Sequence, residues 1–214
     1  MSHKQKEKTG AENVHWDLSD LYESIEDPAL EEDKKNVQQR ADDFASKYKG
    51  KVADLDEEGM KQALQEYEEL LETIGKLGSY AHLIWSTDTN NPEYGKLMQE
   101  ANELSSEIHQ KLVFFDVEWL AVDDQKARKL IDSEELSHYE HYLETSRRYK
   151  EHILSEKEEQ VLSAKKVTGR SAWNRYFDET MGAARFELDG EKLTQQEVLS
   201  KLHEPDRDLR KRAQ

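Results

Sequence analysis

The chain of 214 residues contains no cysteine. Disulfide staples, a thiol nucleophile and thiolate-ligated metals are therefore excluded. Proline and glycine are scarce, at three and nine residues, so the backbone has few breaks and long helices are expected. No uncharged apolar run approaches the ~20 residues that a membrane span requires; Leu112 to Phe115 is among the longest. The basic stretch Met1-Ser2-His3-Lys4-Gln5-Lys6-Glu7-Lys8 is not followed by an apolar segment, so no secretory signal and a cytoplasmic location are expected. Positive charge is in deficit: 31 Lys and Arg face 47 Asp and Glu, for a net charge of −16. Such a surface repels phosphate backbones and argues against a nucleic-acid partner.

What is present reads as helix. Charged residues make up 36% of the chain, against about 25% in a typical domain, while nine Tyr and four Trp supply large apolar area for a core. Residues 1–13 are polar and expected to be flexible, and Trp16, Leu18, Leu21 and Tyr22 are expected to anchor the chain onto a body. Asp27-Pro28 reads as an N-cap followed by N1, with apolar Leu30, Val37, Ala41, Phe44 and Tyr48 behind it and Gly50 as the stop. Asp56 opens a second helix, striped by Met60, Leu64, Tyr67, Leu71, Ile74, Leu77, Ala81, Ile84 and Trp85. Gly75 and Gly78 lie inside it, each costing ~1 kcal/mol unless a neighbouring helix approaches closely. Pro92 starts a third helix with Tyr94, Met98, Ala101, Leu104, Ile108, Leu112 and Phe115, so the second and third form a long αα-hairpin.

Shorter helices are expected after Val122, over Asp124 to Asp132 and over Ser133 to Ile153. A capping box at Ser155 and Glu158 opens another, ending near Gly169. A short helix follows from Ser171 to about Gly182. Alternation around Asp189-Gly190 then predicts a small β-hairpin within residues 184–193. Thr194 with Glu197 caps one more helix, and Pro205 begins the last. The expected fold is all-α, a helical array with a long αα-hairpin and one small β-hairpin. Residues 14–122 form an N-terminal helical domain, and residues 123–214 a second helical segment that reads as cut before a further domain.

No catalytic residue stands out. An H-E-x-x-H motif is absent, since His203-Glu204 is followed by Pro205-Asp206-Arg207; a P-loop, G-x-S-x-G and G-x-G-x-x-G are also absent. The histidine cluster is His138-Tyr139-Glu140-His141, with Glu144 and His152 further along the same expected helix. His138 and His141 at i, i+3 resemble half a metal site, but tetrahedral zinc takes three converging protein ligands, so a solvated polar face is the favoured reading. The run Glu66, Glu68, Glu69 and Glu72 lacks calcium-loop spacing and reads as an exposed face, with Lys76 as i, i+4 partner of Glu72. Trp85, Phe114, Phe115, Trp119, Trp173, Tyr176 and Phe177 are read mainly as core. Phe114-Phe115 with Trp119 is the candidate for a surface covered by a missing domain, because adjacent helical residues face different ways.

Taken in order, these features resemble a known family. Trp16-Asp17-Leu18, Leu21-Tyr22, the two long helices, Leu154-Ser155-Glu156-Lys157-Glu158-Glu159, Gly169, Ala172-Trp173, Phe186 to Leu193, Thr194-Gln195-Gln196-Glu197 and Asp206-Arg207-Asp208-Leu209-Arg210-Lys211-Arg212-Ala213 are similar to the N-terminal region of oligoendopeptidase F, a bacterial relative of the thimet oligopeptidases. The resemblance implies cytoplasmic zinc metallopeptidases that cleave short peptides in a deep channel between two mostly helical lobes. It implies that zinc is held by an H-E-x-x-H helix and a downstream glutamate in the full-length parent. The N-terminal lobe forms a channel wall and carries no zinc ligand, so no catalytic or metal position is assigned here. This chain alone is expected to hold no cofactor and to be inactive, with its own C-terminal catalytic domain and short peptides as partners. The alternative is a stand-alone acidic helical module that binds a basic protein.

Overall fold

The computed structural model describes residues 17–214. The expectations for residues 1–13 and for Trp16 lie outside the described residues. Tyr22 is buried, with Leu18 and Leu21 packed partly against the core.

Helix α1 (Pro28–Tyr48) begins where Asp27 accepts a hydrogen bond from the Ala29 N–H, with proline at N1. It ends at Gly50, whose φ of 76° places it in the left-handed region. Helix α2 (Glu57–Thr87) opens on the Asp56 cap, and α3 (Pro92–Ala121) opens on Asn91. The last two form the expected hairpin through the turn at 88–91.

These three helices pack on one another, and the core runs without interruption from Tyr22 to Leu143. Phe44 sits at its centre, its ring 4.8 Å from Tyr48, 5.8 Å from Tyr67, 5.9 Å from Phe114 and 5.4 Å from Phe115. The buried face of α2 is wider than its expected stripe, since Ala63, Leu70 and Tyr80 are buried as well. The reason is geometric: α2 packs on both α1 and α3, and two neighbours need more than one stripe. No atom lies within 4 Å of a Cβ built at Gly75 or Gly78, so neither glycine serves a close helix approach.

Helix α4 (Asp124–Ile131) follows as expected. The single helix expected over Ser133 to Ile153 is instead broken. A 3-10 turn covers Glu134–Leu136, Tyr139 leaves helical geometry at φ −100° and ψ 0°, and α5 covers only Glu140–Arg147. Tertiary bonds hold the break. The Tyr139 hydroxyl donates to Glu68 at 2.7 Å. Arg147 donates to the Trp119 and Val122 carbonyls at 2.8 and 2.9 Å, satisfying acceptors that the end of α3 leaves free.

Helix α6 (Glu156–Lys166) starts at the Ser155 and Glu158 capping box and lies against α3. A π-turn over Val167–Ser171, with Gly169 off helical geometry, separates it from α7 (Ala172–Ala183). Strands β1 (Phe186–Leu188) and β2 (Glu191–Leu193) pair antiparallel, Phe186 opposite Leu193, across the Asp189-Gly190 turn at φ 54° and 86°. Helix α8 (Gln195–Ser200) begins at the Thr194 capping box. The last helix, α9 (Arg207–Ala213), is capped by Asp206 rather than begun by Pro205. Arg212 binds both carboxylate oxygens of Asp189 at 2.8 and 2.9 Å, tying α9 to the hairpin turn. Among the described residues, no helix is long and apolar enough to cross a membrane.

Candidate functional site

Two features stand apart from the core: a groove between α3 and α6, and an exposed aromatic face on α7. The groove exists because polar side chains hold the two helices together. Ser106 donates to the Ser163 carbonyl at 2.9 Å, Ser163 returns a bond to the Ser106 carbonyl at 3.3 Å, and Gln160 donates to the Gln110 carbonyl at 3.2 Å. Rising numbers on α3 meet falling numbers on α6, so the helices run antiparallel. Beside this contact lies a cavity of 540 Å³, within the ~300–1,000 Å³ typical of small-molecule sites.

The cavity is polarised along its length. Asp116 lines it where α3 nears its C-terminal end and Glu159 nearer its middle, while Lys165 and Lys166 in the last turn of α6 and Arg170 beyond it line the other end. Asp116 accepts hydrogen bonds from the Tyr67 hydroxyl at 3.3 Å and the Tyr142 hydroxyl at 3.1 Å. Burial raises its carboxyl above the ordinary carboxylate range, although the two phenols pull the other way. Both phenols are pushed up in turn, chiefly by burial and then by the Asp116 charge. Among the described residues, no Lys or Arg pairs with Asp116, although the His109 ring nearby favours its charged form, and no carboxylate pairs with Lys165, Lys166 or Arg170.

The histidine cluster is not a helical face. His138 lies in the turn before α5, its ring 4.8 Å from that of Tyr139, whereas His141 lies in the first turn of α5 with its Nε2 3.5 Å from the Thr145 hydroxyl. His152 falls beyond the end of α5. The i, i+3 relation therefore fails because the helix breaks at Tyr139. Among the described residues, no group of three His, Asp or Glu side chains is placed to hold a metal ion.

The acidic run on α2 is engaged by other elements. Glu66 pairs with Lys47 at 2.6 Å and accepts from Tyr48 at 3.1 Å, Glu69 pairs with Arg40, and Glu68 accepts from Tyr139. Lys76 does not pair with Glu72; it reaches Asp33 on α1 at 3.1 Å and sits 4.0 Å from the centre of the Tyr22 ring.

The surface aromatics also differ from expectation. Phe114, Phe115 and Trp119 are at most 2% exposed, because α3 is covered by α1 and α2 on one side and by α5 and α6 elsewhere. The exposed set is Trp173, Tyr176 and Phe177, at 71%, 62% and 63%. Their i, i+3, i+4 spacing places them on one face of α7. Val161, Leu162, Leu199 and Leu202 are also exposed, and α6, α7 and α8 bury no residue among those described. Sequence reasoning missed Asp116, Tyr142, Lys166 and Arg170. An acid directly after the apolar run from Leu112 to Phe115 was the available signal for Asp116; the others carry none.

Residues 118–186 match the family model for the N-terminal part of M3 peptidases, described as Oligopeptidase F. Over 206 residues the chain is 31% identical to Oligopeptidase PepF of Bacillus subtilis, spanning 92% of this chain and 30% of that protein. Over 152 residues it is 29% identical to the Oligoendopeptidase F homolog of Borreliella burgdorferi, spanning 71% of this chain and 25% of that one. The fold matches the crystal structure of oligoendopeptidase-F from Enterococcus faecium with a TM-score of 0.69 at 21% identity, covering 86% of this chain and 36% of that structure. The chain thus spans less than a third of the length of the curated relatives it matches. The family model and the relatives agree, and the fold is consistent with them: the chain is similar to an N-terminal region of oligoendopeptidase F proteins.

Proposed function

We propose that this chain is the non-catalytic lobe of a cytoplasmic, zinc-dependent oligopeptidase and forms one wall of the channel that admits short peptides. The observation that carries this reading is the unpartnered aromatic face of α7 in a chain that spans 30% of a relative's length. Exposed aromatic area of this kind marks a contact with another body. The remainder of the parent, its catalytic domain, is the body that would cover it.

The described residues do not suit zinc: no group of three donors is placed to hold a metal ion. The metal would belong to an H-E-x-x-H segment of the parent outside this chain. The lobe would narrow access and orient the peptide. Glu66, Glu68 and Glu69 already have partners within the protein, which deprives the reading as a free acidic interaction face of most of its carboxylates.

The test compares the full parent with a form lacking this lobe, using a graded series of peptides from dipeptides to folded proteins. Loss of activity, or cleavage of longer and folded substrates, is expected. An unchanged rate and size preference would refute the channel-wall role.

A further inference from the structure

We propose that the groove between α3 and α6 binds a short peptide by its two free ends, its ammonium on Asp116 and its carboxylate on Lys166 and Arg170. The choice of a peptide rests on the reading given under Proposed function, but the charge geometry stands by itself. One end of the groove presents the Asp116 carboxylate and the other presents cations. Among the described residues, Asp116 has two phenols and the His109 ring nearby but no Lys or Arg partner, and Lys166 and Arg170 have no carboxylate. A ligand that answers both ends is a zwitterion with its charges well separated.

The antiparallel register sets the length. Ser106 and Ser163 are level with each other. At a rise of about 1.5 Å per residue, Asp116 lies about 15 Å from that level in one direction, and Lys166 about 4.5 Å in the other. An extended chain covers about 3.3 Å per residue, so a span of about 20 Å suits roughly four to six residues. Tyr67 and Tyr142 hold the Asp116 carboxylate in place and leave its remaining acceptor capacity for an ammonium. Leu112, Val113 and Leu162 supply apolar wall between the charged ends. Between the ends, His109 and Glu159 also line the groove, about 4.5 Å and about 6 Å from the Ser106 level toward Asp116, so the ends and the length are read first and Glu159 adds one charged contact midway.

The experiment is calorimetric titration of this chain, without added metal, with pentaalanine carrying free ends, an acetylated amino end or an amidated carboxyl end. Saturable binding of the free peptide is expected at millimolar concentration or below. Acetylation should weaken it roughly tenfold or more, the loss expected for one charge-assisted hydrogen bond. Asp116→Asn should weaken the free peptide similarly and leave the acetylated one unaffected. Lys166→Ala should act in the same way on the amidated form. Absence of saturable binding, or equal binding of free and acetylated peptide, would overturn the proposal. The ligand series uses unaltered protein, so the result stands even where a variant fails to fold. Because no catalysis is read, failure here leaves the channel-wall reading intact, and failure of that reading leaves this titration informative.

Discussion

Replacing Phe44 by alanine tests the packing that positions both the groove and the α7 face. Phe44 is 2% exposed and its ring lies 4.8–5.9 Å from four other aromatic rings, contributed by α1, α2 and α3. Truncating a buried phenylalanine costs about 3–5 kcal/mol, combining lost transfer energy with the cavity left behind. Phe44 falls toward the upper part of that range, since aromatic pairs contribute about 0.5–1.5 kcal/mol beyond their area. Rings on three separate helices cannot all collapse into one gap. Against a total stability of about 5–15 kcal/mol, this is a large fraction. Urea unfolding followed by circular dichroism should show a lower midpoint at unchanged slope, and the melting temperature should fall by roughly 8–16 °C. Phe44→Leu, which keeps most of the volume, should cost less than half as much. A loss under about 1.5 kcal/mol for alanine, or equal losses for both variants, would refute a central role for this ring.

Three further outcomes follow from the same structure. Arg147→Met removes two charge-assisted bonds to the Trp119 and Val122 carbonyls and the stacking of its guanidinium 5.2 Å from the Trp119 ring; denaturant unfolding should register a loss of about 2–4 kcal/mol. Gly75→Ala meets open space in mid-helix and should stabilise the chain by about 0.5–1 kcal/mol, read as a higher melting temperature. For Asp116 the folded carboxyl is raised above its unfolded value of 3.8, so the folded state binds the proton more tightly and stability falls as pH rises from there through the folded value. Asp116→Asn lacks this titration, so its stability advantage should be absent below about pH 4 and grow toward neutral pH; melting temperatures of both proteins across that window check it.

Local signals in the sequence carried far in this protein. The Asp27 cap followed by Pro28, the helix start at Pro92, the capping boxes at Ser155 and Thr194 and the Asp189-Gly190 turn all depend on neighbours within a few residues. Short-range chemistry therefore determined them, and each is found where it was read. So did apolar periodicity for the long hairpin of α2 and α3, because helices of 31 and 30 residues repeat the pattern many times. Family resemblance worked at the same level, as an order of such local marks.

What the tertiary structure alone decided depends on partners distant in the chain. The break at Tyr139 follows from its bond to Glu68, 71 residues away, and from the reach of Arg147 to the end of α3. Neither contact has a sequence spacing to read. The burial of both Phe114 and Phe115 depended on α3 being covered on several sides, and the exposure of Trp173, Tyr176 and Phe177 on α7 having no such cover. The same amphipathic spacing serves a core or an open face, and only the presence of a packed neighbour distinguishes them. The polarised groove arises likewise: Asp116 and Lys166 become its two ends only when α3 and α6 run antiparallel, a relation between helices rather than within one.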